Sequence, residues 1–149
     1  MSLQDQIMTS MKEAMKAKDQ TALTALRAVK SAILMAKTES GATSELTEEQ
    51  ELKLLQKQVK QRKDSAAIFL EQGREDLAAP ELAEAEIIAQ FLPEAMSEED
   101  IEKIVIQVIE STGANGMKDM GRVMGVVSKQ LAGQADGKTI STMVKSKLM

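Results

Sequence analysis

The sequence predicts an all-α protein, with a four-helix part over residues 1–92 followed by a small three-helix domain over residues 93–149. Three observations carry that prediction. Apolar residues recur at helical spacing along nearly the whole chain. No segment sustains the two-residue alternation of a half-buried strand. Polar capping residues stand where the apolar stripes begin.

Leu3, Ile7, Met11 and Met15 form the first stripe, and Leu23, Leu26, Val29 and Ile33 the second. Asp19 lies between them as the N-cap of the second helix, where a carboxylate can accept from first-turn amides. A loop is expected at Gly41–Ser44. Thr47 with Gln50 reads as a capping box, and Glu48 and Glu49 suit the positive end of the helix dipole. Leu52, Leu55, Val59, Arg62, Ala66 and Phe69 then step by three and four, predicting a helix of about seven turns that Gly73 stops. A fourth helix carries Leu77, Leu82, Ala85 and Ile88 towards Phe91. Pro80 either begins it or kinks it, and the pattern leaves both open.

Leu92-Pro93-Glu94 closes the first part, because a residue before proline disfavours helical geometry. Ser97 caps the next helix, with Glu98, Glu99 and Asp100 in its first turn. Ile101, Ile104, Val105, Val108 and Ile109 complete its apolar face. Gly113 and Gly116 bracket a turn. Met117, Met120, Met124, Val127 and Leu131 line a sixth helix that stops at Gly133. Asp136 caps a seventh, in which Ile140, Met143, Val144 and Leu148 face inward.

Composition narrows the chemistry. Among 149 residues there is no cysteine, histidine, tryptophan or tyrosine, and there are only two phenylalanines. Disulfides, thiolate nucleophiles, zinc fingers and imidazole bases are therefore excluded. The aromatic platforms of RNA-recognition and single-strand-binding modules are missing too. Eleven methionines, with Leu, Ile and Val, fill the space that aromatics usually occupy. The first residues lack a signal-peptide pattern, and apolar runs such as Ala66 to Leu70 are too short to span a bilayer. A soluble, cytoplasmic protein is expected, with no membrane, DNA or cofactor partner.

The net charge of −4 is unevenly spread. Residues 113–149 carry a local +4 and residues 93–112 a local −5. Lys53, Lys57, Lys60, Arg62 and Lys63 follow one another without an intervening acid. Such runs are commonly just solvated helix faces. Residues 132–139 (Ala-Gly-Gln-Ala-Asp-Gly-Lys-Thr) have the outline of a phosphate loop but lack the preceding strand that such a loop needs. A helix stop at Gly133 and a cap at Asp136 explain the same residues. Gly121 and Gly125 share a helix face and imply close packing there, by a neighbouring helix of the domain or by a partner or nucleic-acid backbone. Glu81, Glu84 and Glu86 read as an exposed face rather than metal ligands. Nothing around Ser65 or Ser128 marks an activated nucleophile.

Several segments carry a resemblance. Lys60-Gln-Arg62-Lys63-Asp64-Ser65, Phe91-Leu92-Pro93-Glu94 followed by Ser97-Glu98-Glu99, Asp119-Met120-Gly121-Arg122-Val123-Met124-Gly125, and Ala135-Asp136-Gly137 occur in that order. Together they resemble the GatB/YqeY family, most closely its free-standing YqeY-like members. The resemblance implies an all-helical, two-part fold similar to the tail of the B subunit of tRNA-dependent amidotransferases. In those enzymes the tail contributes to tRNA engagement, while phosphorylation and glutamine hydrolysis lie elsewhere. Carbon–nitrogen ligase activity with glutamine as amide donor is thus a family association inherited from the whole enzyme. The expectation is a non-catalytic accessory module with tRNA, an amidotransferase or an aminoacyl-tRNA synthetase as partner. Its expected RNA contacts are Lys57, Lys60, Arg62, Lys63, Lys118, Arg122, Lys129, Lys138, Lys145 and Lys147. The net negative charge means that any affinity must come from these local patches.

Overall fold

A computed structural model describes residues 2–39 and 45–149. The loop expected at Gly41–Ser44 lies outside the described residues. Seven α-helices follow one another: α1 (Leu3–Ala17), α2 (Gln20–Glu39), α3 (Glu48–Glu71), α4 (Glu75–Ala89), α5 (Glu98–Thr112), α6 (Met120–Gln130) and α7 (Gly137–Leu148). A single 3-10 turn, Met117–Asp119, leads into α6. No strand occurs among the described residues, so the all-α class holds.

Side-chain caps set most helix starts. Asp19 Oδ1 accepts from the Ala22 amide at 3.0 Å. At Thr47 the reciprocal box is complete: Oγ1 accepts from the Gln50 amide at 3.2 Å, and Gln50 Oε1 accepts from the Thr47 amide at 2.9 Å. Ser97 and Asp136 cap α5 and α7 through the amides of Asp100 and Thr139. Gly113 ends α5 at φ +66°, a left-handed conformation that favours glycine. Pro80 lies inside α4, which begins earlier at Glu75, so the proline does not start that helix.

The chain forms two compact units, one through Leu92 and the other from Pro93 onward. In the first, Leu3, Ile7, Leu23, Leu26, Val29, Ile33, Leu55, Val59 and Ile88 form the core with Ala14, Ala25 and Ala85. The pairing of α3 with α4 is the most extensive helix–helix contact. In the second, Ile101, Val105, Val108, Val123, Val127, Leu131, Ile140, Val144 and Leu148 form a separate core.

Four inward assignments are corrected. Met15 is 53% exposed and Ala14 takes the buried place on α1. Leu77 and Leu82 are left about two-fifths exposed, and Ala78 and Ala85 are the buried residues of α4 instead. Met117 precedes α6 and is exposed, while Val123 fills the centre of the second core. In each case the helix turned its smaller or β-branched residue towards its neighbour, where the packed space is narrow.

Candidate functional site

The candidate cations fall into two groups on separate units. Lys57, Lys60, Arg62 and Lys63 belong to α3. Lys118, Arg122, Lys129, Lys138, Lys145 and Lys147 belong to the unit of α5, α6 and α7.

On α3 the inward face is set by Leu55, Val59 and Ala66. At 100° per residue, Lys57 points directly away from it, with Lys60 and Lys63 swinging to one flank. All three are exposed. Lys60 shares an exposed ion pair with Asp64 at 3.3 Å, one turn on, which water screens. Arg62 is different. It lies on the inner flank, and its side chain is only 13% exposed. Its Nη1 donates to the Gln58 carbonyl at 3.1 Å and to Gln58 Oε1 at 2.8 Å. Its Nε lies 3.6 Å from Glu84 Oε1 of α4 and has no hydrogen-bond partner. The expectation that Arg62 offers a surface contact for RNA is therefore corrected: its charge is spent between two helices. Glu84 is also corrected, since it is half-buried rather than part of an exposed acidic face. The signal lay in the pattern itself, because Arg62 occupies an apolar-stripe position between Val59 and Ala66.

On α6, Val123 and Val127 are completely buried. The opposite stripe carries Arg122, Gly125, Val126 and Lys129, all exposed. Arg122 reaches back to Asp119 at 3.5 Å yet stays 53% exposed, so its guanidinium still faces water. A Cβ built at Gly121 or Gly125 would meet nothing within 4 Å. The close packing expected at these glycines is thus not made by a neighbouring helix of the unit, because α6 turns its valines inward and its glycines outward. On α7, Lys138 and Lys145 share the outer face, seven residues apart. Lys147 Nζ donates to Glu102 Oε1 of α5 at 2.6 Å, tying the last helix to the first of this unit. Lys118 stands exposed in the 3-10 turn.

Other chemistry finds little support in the geometry. Residues 132–139 form the turn after α6 and the cap of α7, with Asp136 Oδ1 accepting from the Thr139 amide at 2.7 Å. Among the described residues, no three acidic side chains converge to hold a metal ion. An open cleft of about 380 Å³ is bordered by Leu3, Gln6, Glu48, Glu51, Leu55 and Phe91. Its one perturbed group is Glu51, whose carboxyl is pushed up by burial first and then by Glu48 and Glu45, with Lys37 opposing. Ser2 also borders the cleft, with its Oγ accepting from the Asp5 amide at 3.2 Å as the N-cap of α1.

A family model described as Yqey-like protein matches residues 4–148. Altered inheritance of mitochondria protein 41, mitochondrial, of Clavispora lusitaniae is 34% identical over 97% of this chain and 86% of its own length. The protein of the same name from Pyrenophora tritici-repentis is 29% identical over 93% of this chain and 77% of its own length. A shorter match, 38% identical, joins 46% of this chain to 12% of a glutamyl-tRNA(Gln) amidotransferase protein, the E subunit of that enzyme in Thermococcus gammatolerans. The full-length relatives are named as mitochondrial proteins, which overturns the cytoplasmic expectation. That expectation rested on the lack of a signal-peptide pattern and of a membrane-length apolar run. Neither feature separates the cytoplasm from the interior of an organelle.

Proposed function

The chain belongs to the Yqey-like protein family, and from that premise we propose that it is a non-catalytic accessory module for structured RNA, with tRNA the first ligand to test. The observation that carries this reading is the solvent-facing side of α6 and that of α7. There Arg122, Lys129, Lys138 and Lys145 stand exposed on two short helices, beside backbone left open at Gly121 and Gly125. Lysine and arginine bind phosphates by charge and need no aromatic platform, so this mode suits a chain without tryptophan or tyrosine. The partial match to an amidotransferase protein supports tRNA over other RNAs, since that relative's name places it in tRNA-linked chemistry. The match covers 12% of that relative, so the reaction of the whole enzyme is not carried over with it.

The test is a titration of the full chain with purified tRNA at low and raised salt. Affinity falls as salt rises, and Arg122→Glu with Lys129→Glu weakens it further at constant salt. No binding at low salt would remove the RNA reading, and binding unchanged by the double substitution would remove this face from it.

A second reading, docking on an amidotransferase or a synthetase, is favoured by the large apolar residues that the N-terminal unit leaves exposed. Leu34 and Met35 on α2 and Ile68 and Leu70 on α3 are each at least half exposed. Protein partners retained after nuclease treatment support this reading, and their loss with the RNA counts against it.

A further inference from the structure

We propose that Asn115-Gly116, in the turn between α5 and α6, is a site of spontaneous deamidation in the folded protein. Asn115 is the one asparagine in the chain, and a glycine follows it. It is exposed, and no hydrogen bond engages its carboxamide among the described residues. The backbone on either side is held while the reacting amide is not. The Asn115 amide donates to Asp119 Oδ2 at 2.8 Å, and the Asp119 amide donates to the Gly116 carbonyl at 3.2 Å. Between them, the Gly116 N–H donates to no group among the described residues. Gly116 sits at φ +81°, and a Cβ built there would meet nothing within 4 Å.

The chemistry balances with water alone. Hydroxide removes the Gly116 amide proton, and the freed nitrogen pair attacks Cγ of Asn115. The bond from Cγ to the side-chain nitrogen breaks, and ammonia leaves with a proton from solvent. Water then opens the cyclic imide at either carbonyl, leaving aspartate or its β-linked isomer at position 115. The product adds a carboxylate beside Asp119, next to Lys118 and Arg122 at the start of α6.

Asp136-Gly137 supplies an internal comparison, since it has the same following residue. There Asp136 Oδ1 is held by the Thr139 amide at 2.7 Å, and Gly137 is already the first residue of α7. An ionised carboxylate is also a poorer electrophile than a carboxamide. The fold therefore protects position 136 and leaves position 115 open.

The experiment incubates the intact, folded protein at neutral and at mildly alkaline pH, followed by peptide mapping with an isoaspartate-specific readout. Asn115→Gln and a denatured sample run alongside. The expected result is an amide-to-acid mass change confined to the Asn115 peptide, with some isoaspartate, faster at alkaline pH and absent in Asn115→Gln. An Asn115 that stays intact in the folded protein while the denatured chain converts overturns the proposal. Isomerisation at Asp136 as fast as conversion at Asn115 overturns it as well.

Discussion

Helices α1–α4 bury Ala14, Ala25, Ala66, Ala78 and Ala85 among their larger core residues, whereas α5–α7 bury only valine, isoleucine and leucine. An alanine methyl lets two helices approach closely but removes little apolar area, about 0.8 kcal/mol per methyl-sized group against about 2 kcal/mol for a branched side chain. The N-terminal unit adds a polar tie where α3 meets α4, through Arg62, Gln58 and Glu84. Among the described residues neither unit fully buries a charged residue. Arg62 and Glu84, however, keep only 13% and 15% of their side chains exposed, whereas Lys147 and Glu102, which tie α7 to α5, keep 32% and 41%. One unit therefore uses a cation inside, and the other keeps its cations outside.

Removing half of the inner tie should give the largest effect. Glu84→Ala leaves the largely buried Arg62 beside nothing but Gln58 and should destabilise the N-terminal unit by about 3 kcal/mol. Hydrogen exchange resolved by helix checks this, with protection falling in α3 and α4 and holding in α5–α7. The paired change Arg62→Met with Glu84→Leu should recover most of the loss, since it leaves no charge uncompensated.

Enlarging an alanine sharpens the contrast next. Ala85→Leu forces a larger side chain into a filled contact of α4 and should cost about 2 kcal/mol by denaturant unfolding. In the other unit the same kind of change has the opposite sign. Gly125→Ala places a methyl in open space on α6 and should stabilise it by about 1 kcal/mol, as should Gly121→Ala. A loss of stability at either glycine would mean that something does pack on that face.

The smallest effect concerns Glu51. Its carboxyl is held above its ordinary value of 4.5 chiefly by burial, so the folded state binds that proton more tightly than the unfolded chain. The ionised form therefore costs stability at neutral pH, and the cost disappears as pH falls through the raised value towards 4.5. Glu51→Gln should raise the melting temperature slightly at neutral pH and leave it unchanged in acid. A larger gain in acid than at neutrality contradicts this assignment.

The same contrast explains what was legible beforehand. In α5 and α7 the β-branched and leucine stripe matches the buried face, so periodicity identified it correctly. On α6, Val127 and Leu131 were legible, but Val123 was hidden among methionines that also satisfy the spacing. In α1 and α4 periodicity followed Met15, Leu77 and Leu82 because bulk is the usual mark of a core position. Packing there selected alanine for the buried positions, and the larger residues were left partly exposed. The caps at Asp19, Thr47, Ser97 and Asp136 were legible because a local hydrogen bond needs only local spacing. The candidate cations were legible as residues but not as roles. Whether an arginine faces phosphate or a glutamate depends on α4 lying against α3, which no local pattern records. The glycines of α6 show the same limit, since shared spacing implied a close neighbour and only the three-dimensional arrangement leaves them open.

The most direct test of one cation inside and several outside measures tRNA affinity for two charge-altered proteins against the parent at one low salt concentration. Arg62→Met with Glu84→Leu preserves net charge and alters the inner tie. Arg122→Glu with Lys129→Glu alters the outer face of α6. Parental affinity is expected for the first protein and a marked loss for the second. Lost affinity in the first with parental affinity in the second would contradict that arrangement.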